Sequence, residues 1–281
     1  MNSLYRDAIR KASVVRRQLG VNMFQPINIF DSCINLGLTV RFVDVNMEGL
    51  YVKQGHSSTI LISNKRPFPR RGFTCAHELG HHVFNHGLKV DILSDENEVA
   101  TSKDDDEILV DAFAAALLMP VGGIQAEFAK RSWNFQQASP IDFYTVCSTF
   151  GVGYQTLVTH CKVNDLINES KADLLLKLTP AKIFKTYLGN VENKSYFKVI
   201  DQYSELSILD LEISNYIVLP YYMQVEGDYF DKQFDTKIGC MYIAKKAGIS
   251  TAHSSDGKTS YFIRIQKENY LGLADYRHFE N

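Results

Sequence analysis

The chain has 281 residues, 45% of them hydrophobic and 22% charged, with a formal net charge of -2. This length and balance fit an ordinary folded protein with one substantial domain and a further unit, and exclude a disordered or fibrous chain. The near-neutral charge implies no nucleic-acid or membrane partner.

The segment 3–19 carries Leu4, Ile9, Ala12, Val15 and Leu19 at roughly helical spacing before Gly20. That predicts an amphipathic helix, made basic by Arg6, Arg10, Lys11, Arg16 and Arg17. No apolar stretch of signal-peptide length is present there, so the expected location is cytoplasmic. A second helix is expected over 26–35, after which the period changes to two. TVRFVDV (39–45), GLYVKQ (49–54) and STILISN (58–64) predict three strands. The basic loop KRPFPRR follows, and its prolines are expected to delay the next helix until about Phe73, with an end near Asn85 to Gly87.

An acidic, apolar-poor stretch, 91–106, reads as a loop that feeds the helix DEILVDAFAAALLMP, stopped by Pro120 and Gly122-Gly123. The apolar run Ala112 to Ile124 is too short for a membrane span and contains Pro and Gly. Residues 141–167 read as helix, Gly-containing turn, helix, which is a helix-turn-helix outline. One helical segment is expected over 172–188, then strands such as YFKVID, SNYIVLPYY, CMYIAKK and SYFIRIQ. The class is α+β, with units at 1–138, 139–170 and 171–281. The five cysteines, Cys33, Cys75, Cys147, Cys161 and Cys240, are odd in number and form no C-x-x-C pair, which fits reduced thiols in packing roles.

The chemistry concentrates in FTCAHELGHHVFNHG, residues 73–87. His77 and His81 are four apart, so on a helix they share a face and each can offer an imidazole nitrogen to one zinc ion. Glu78, between them, is placed to act as general base on water in an open coordination position. On a continuing helix His82 lies about 100° from His81, and His86 falls near the opposite side. Both are therefore expected on the surface or in the core. A third histidine ligand ten residues after His77 is excluded, because Gly87 stands there and Phe84 stands where a helix-breaking glycine would be needed. The third ligand must come from elsewhere, and two histidines plus one carboxylate is a standard catalytic zinc arrangement. Glu107 and Asp111, four apart on the following helix, supply it: Glu107 has the reach for the metal, and Asp111 is placed to hydrogen-bond a ligand histidine. Asp104, Asp105 and Asp106 read as charges that favour the helix N-terminus.

Taken together, the strand TILISN, the basic loop, RRGFTCAHELGHHVFNHG and the later E-x-x-x-D-A-F-A-A-A-L-L-M-P resemble the ImmA/IrrE family of metallo-endopeptidases over about residues 25–167. The resemblance implies a zincin-like domain with a small three-stranded sheet and an H-E-x-x-H helix. It also implies His77, His81 and Glu107 as zinc ligands and Glu78 as catalytic base. Leu109 departs from the family, which frequently has a second glutamate or another polar residue there, and so removes an ambiguity over the third ligand. Family members cleave helix-turn-helix repressors and so derepress stress-response or mobile-element genes. The IrrE-like layout further implies a C-terminal sensor domain, GAF-like, that would receive a small-molecule or protein signal. The rival reading is a DNA-binding or signal-sensing regulator with a structural or vestigial metal site, or a toxin-antitoxin component. Direct DNA binding is not expected, since the would-be recognition helix YQTLVTHCKVNDL carries a single lysine.

Overall fold

The computed structural model describes residues 3–86, 89–90, 104–189 and 196–279. Most of the acidic stretch expected as a loop, 91–103, lies outside the described residues. The architecture is mixed α and β, and the chain forms two compact units. Unit 1 comprises Met1–Ile124 with Asn269–Tyr276; unit 2 comprises Gln125–Glu268 with Arg277–Asn281. These divisions differ from the boundaries expected after 138 and 170.

In unit 1, α1 (Ser3–Gln18) buries Ala8, Ala12 and Val15 as its periodicity requires. It also buries Arg16, whose guanidinium donates to the carbonyls of Asn22, Gln25 and Leu117. Burial lowers the pKa of Arg16 to about 10. This cation holds backbone together and is not part of a basic surface. The short α2 (Ile29–Asn35) starts at Asn28, whose side chain accepts the N–H of Asp31.

The three expected strands form as β1 (Thr39–Val43), β2 (Gly49–Gln54) and β3 (Ser57–Ser63). Val40 and Phe42 of β1, and Ile60 and Ile62 of β3, alternate into the core. Strand β3 lies between the others, parallel to β1 and antiparallel to β2. The next helix, α3 (Phe68–Val83), begins before Phe73, in spite of the prolines. Pro67 is its N-cap and Pro69 falls in its first turn. First-turn N–H groups have no acceptor within the helix, so a proline there breaks no bond. After α3, β4 (Lys89–Val90) pairs with β2.

Helix α4 (Asp105–Leu118) is capped by Asp104 and ends where Met119 and Pro120 interrupt it; α5 (Val121–Lys130) follows. By length and composition alone the run Asp105–Lys130 could cross a membrane. In this fold, however, Val110, Phe113, Ala114, Leu117 and Leu118 of α4 are buried within protein.

In unit 2, α6 (Pro140–Phe150) and α7 (Tyr154–Val163) are separated by Gly151 at φ 67°, giving the helix-turn-helix outline. The single helix expected over 172–188 is two, α8 (Glu169–Leu176) and α9 (Pro180–Tyr187). Thr179 caps α9, and Pro180 cannot supply the N–H that would continue α8. Eight strands follow: β5 (Phe197–Val199), β6 (Ile208–Glu212), β7 (Tyr216–Leu219), β8 (Met223–Val225), β9 (Phe230–Asp235), β10 (Cys240–Ala244), β11 (Gly248–Ser254) and β12 (Ser260–Gln266). They make two four-stranded sheets, ordered β5-β7-β10-β9 and β6-β12-β11-β8. Leu209, Leu211, Ile217, Leu219, Ile263 and Ile265 belong to one buried cluster shared by both sheets.

The helix-turn-helix segment belongs to this unit because α6 is one of its packing layers. The Tyr144 ring stacks on Phe197 at 3.9 Å between centroids, and its hydroxyl donates to the Phe197 carbonyl. Ser148 Oγ accepts the N–H of Val199. At its end the chain returns to unit 1, where β13 (Gly272–Leu273) pairs with β1. The sheet there is thus five-stranded, ordered β13-β1-β3-β2-β4, rather than three-stranded. The two added strands are two residues each, too short to show a period of two in the sequence.

Candidate metal centre

One helical turn separates His77 from His81 on α3, and their Nε2 atoms lie 3.2 Å apart. From α4, Glu107 brings Oε2 to 3.2 Å from His77 Nε2 and Oε1 to 3.6 Å from His81 Nε2. Among the described residues these three can each offer one ligand atom, all within 4.8 Å of one another. Gly80 allows the approach of the two helices. A Cβ there would stand 2.9 Å from Val110 Cβ and 3.2 Å from Phe113 Cδ1, both on α4. On the other side of α3, Gly49 of β2 does the same. A Cβ at that position would meet Thr74 Cγ2 at 2.6 Å and Glu78 Oε1 at 2.8 Å. Glu78, only 1% exposed, therefore lies with its carboxylate against the β2 backbone.

The outer nitrogens of both imidazoles are also engaged. His77 Nδ1 is 2.9 Å from Asp111 Oδ1, so the ring donates there and leaves Nε2 as a lone pair. His81 Nδ1 is 3.1 Å from His86 Nδ1, and His86 Nε2 faces Asp106 Oδ1 at 3.5 Å. This corrects the expectation for His86. The chain does not continue as a helix to that residue: Asn85 adopts φ 55°, His86 N–H bonds the His81 carbonyl at 2.9 Å, and Asn85 N–H bonds the His82 carbonyl at 3.1 Å. That bonding pattern is a Schellman motif, which folds the residue after the left-handed one back over the last turn. The signal was Asn85 itself, a residue that tolerates the left-handed conformation at a helix end. Asp106, expected only as an N-terminal helix charge, likewise faces His86.

His82 is half-buried and turns the other way. The Tyr51 hydroxyl sits 2.9 Å from His82 Nδ1 and 3.2 Å from Ser58 Oγ. Burial and nearby Lys53 lower the His82 pKa, which favours the neutral ring in this packed position. The basic loop is not a field of unpaired cations either. Lys65 pairs with Asp44 at 2.9 Å, Arg66 and Arg70 both pair with Glu48, and Arg71 is buried.

The donor set fits a divalent metal. Four ligands about 2.0–2.1 Å from an ion at tetrahedral angles stand about 3.3–3.4 Å from each other. The 3.2 Å between the two Nε2 atoms is close to that edge length, and Glu107 brings one carboxylate oxygen to 3.2 Å from His77 and the other to 3.6 Å from His81. With the imidazole protons on Nδ1, three lone-pair atoms would face one another, an arrangement that a cation at their centre would relieve. Among the described residues three protein donors converge, which would leave a fourth corner open.

Two imidazoles and a carboxylate converging beside a glutamate on the same helix are the donor set of a metallopeptidase. Comparison with protein families narrows this class: Cys33 to Lys162 match the IrrE N-terminal-like domain, Peptidase_M78. Residues 33–162 are therefore similar to metallopeptidase domains of the ImmA/IrrE type. No curated protein matches it.

Proposed function

We propose that the protein is a zinc-dependent endopeptidase of the gluzincin kind that performs limited regulatory proteolysis in the cytoplasm. The observation that carries this reading is the convergence of His77, His81 and Glu107 within a matched family domain. His77, His81 and Glu107 hold the ion, and Asp111 fixes the tautomer of His77. A bound zinc supplies Lewis acidity at the scissile carbonyl and lowers the pKa of water in the open position to about 7. Glu78 takes the proton of the attacking water and later passes it to the leaving amine. Its position against β2 holds the carboxylate on one side of α3.

The proposed substrate is a helix-turn-helix transcriptional repressor, whose cleavage would derepress stress-response or mobile-element genes. Residues 171–281 would act as a sensor for a small-molecule or protein signal. A GAF-like fold for them rests on layout, and the two four-stranded sheets lend it no support. The DNA-binding alternative draws little from the basic segments, whose Arg16, Arg66, Arg70 and Arg71 are occupied or buried.

The test incubates the zinc-loaded full chain with the repressor encoded beside it, alongside Glu78→Gln. Cleavage by the wild type and a loss of about 10²–10⁴-fold in the variant, with zinc retained, is the expected result. Equal cleavage by both proteins would refute the assignment.

A further inference from the structure

We propose that His86 is a positioning residue for metal binding: its Nδ1 accepts the Nδ1–H of His81 and, with Asp106 at its far nitrogen, holds His81 with Nε2 presented to the ion. This rests on the metal-centre reading above and adds two residues to it.

The argument is one of proton placement. Each neutral imidazole carries one proton on two nitrogens, so the Nδ1–Nδ1 contact of 3.1 Å has one donor and one acceptor. If His86 were the donor, the proton of His81 would sit on Nε2, the atom that meets His77 Nε2 and the Glu107 carboxylate. His81 could then not ligate. If His81 donates, the proton of His86 sits on Nε2, where Asp106 Oδ1 at 3.5 Å favours it. Asp106 thus selects the tautomer of His86, and His86 selects that of His81. Asp111 performs the same service for His77 directly, at 2.9 Å. The two ligand histidines are therefore oriented by different devices, one carboxylate on α4 and one histidine delivered by the turn that ends α3.

Geometry also argues for orientation rather than filler. The His86 ring meets His81 edge-on at 5.2 Å between centroids and stacks on Phe84 at 5.8 Å, so its plane is set from two sides. A residue that merely capped the helix would need only its backbone, which the Schellman bonds already use.

The experiment uses the full chain and reads zinc affinity by competition with a chromophoric chelator, together with the visible spectrum after cobalt(II) substitution. His86→Phe keeps the ring packing and removes the acceptor. It is expected to weaken zinc binding by about 10–100-fold and to shift the cobalt bands. His86→Gln restores an acceptor, through Oε1, and should recover most of the affinity. Asp106→Asn should give a smaller loss, since that side chain is 45% exposed. Thermal unfolding of the metal-free proteins shows whether each variant folds; if His86→Phe does not, His86→Asn is compared with His86→Leu in the same measurements. A folded His86→Phe with wild-type affinity and spectrum, or equal losses in the Phe and Gln variants, overturns the inference while leaving the metal centre intact. A wild type that binds neither zinc nor cobalt overturns the metal centre itself, and this inference with it.

Discussion

In unit 2 the buried carboxylate of Asp210 is met by cations. Arg264 donates to it at 2.6 and 3.0 Å, and Arg277 at 3.0 Å. Arg131 is similarly locked between Glu127 at 2.7 Å and Asp201 at 2.6 Å. In unit 1 the polar atoms that converge are two imidazole nitrogens and a carboxylate, atoms of like character that all offer lone pairs. Both regions bury titratable side chains, so burial alone separates nothing. The sign of what meets what does: opposite charges complete one another and make structure, whereas gathered lone pairs call for a cation.

The strongest way to break this contrast is Glu107→Ala. It should reduce zinc from stoichiometric to well below, measured by metal analysis, while the unfolding of unit 2 stays unchanged. Unchanged zinc content would move the third ligand to another acid. Next, Asp210→Asn leaves two buried guanidiniums without their carboxylate and is expected to destabilise by about 3–5 kcal/mol in chemical denaturation, with zinc affinity untouched. Burial by itself would raise the Asp210 pKa, but Arg277 and Arg264 hold it well below the usual carboxylate range. Its contribution is therefore fully present above about pH 4 and is lost only as pH falls through the depressed folded value. The stability gap between wild type and variant should accordingly be full above about pH 4 and narrow as pH falls below it, read from stability against pH.

Gly80→Ala sharpens the comparison from the side of packing. The added methyl would press on Val110 and should cost about 1–3 kcal/mol, and because it pushes α4 away it should weaken zinc binding as well. A stability loss with zinc affinity unchanged would show that Glu107 reaches the site independently of that close approach. The smallest effect is expected from Tyr51→Phe, which removes the hydroxyl from His82. About 0.5–1.5 kcal/mol should be lost, with no change in zinc affinity. A zinc effect there would make His82 part of the metal centre.

Much of unit 1 was legible. The alternation of Val40 with Phe42 and of Ile60 with Ile62 marks strands, and the spacing of His77 and His81 marks a shared helix face, because both periods are properties of the local backbone. The prolines point to a later start for α3 than the structure has, because proline is read as a breaker, although within a first turn it breaks nothing. A helical wheel puts His86 near the opposite side because it assumes the helix goes on, and a single left-handed residue, Asn85, ends it. In unit 2 the sequence pattern marks β5, β7, β10 and β12 but not β6, β8, β9 and β11, and it sets the helix-turn-helix segment apart from the sheets. Its packing against β5 joins residues more than fifty positions apart, which no periodicity reports.

The sequence by itself determined which residues are proposed to carry the chemistry: His77 and His81 on one face, Glu78 between them, and Glu107 with Asp111 on a second helix. Rotation per residue and side-chain type are enough for that. Only the tertiary structure decided that the two helices stand close enough for Glu107 to complete the set, and that His86 returns to His81. The first depends on the missing Cβ of Gly80 against Val110, and the second on a reversal of backbone hand at Asn85. Both are contacts between turns or helices, and contacts of that kind exist only once the chain has folded.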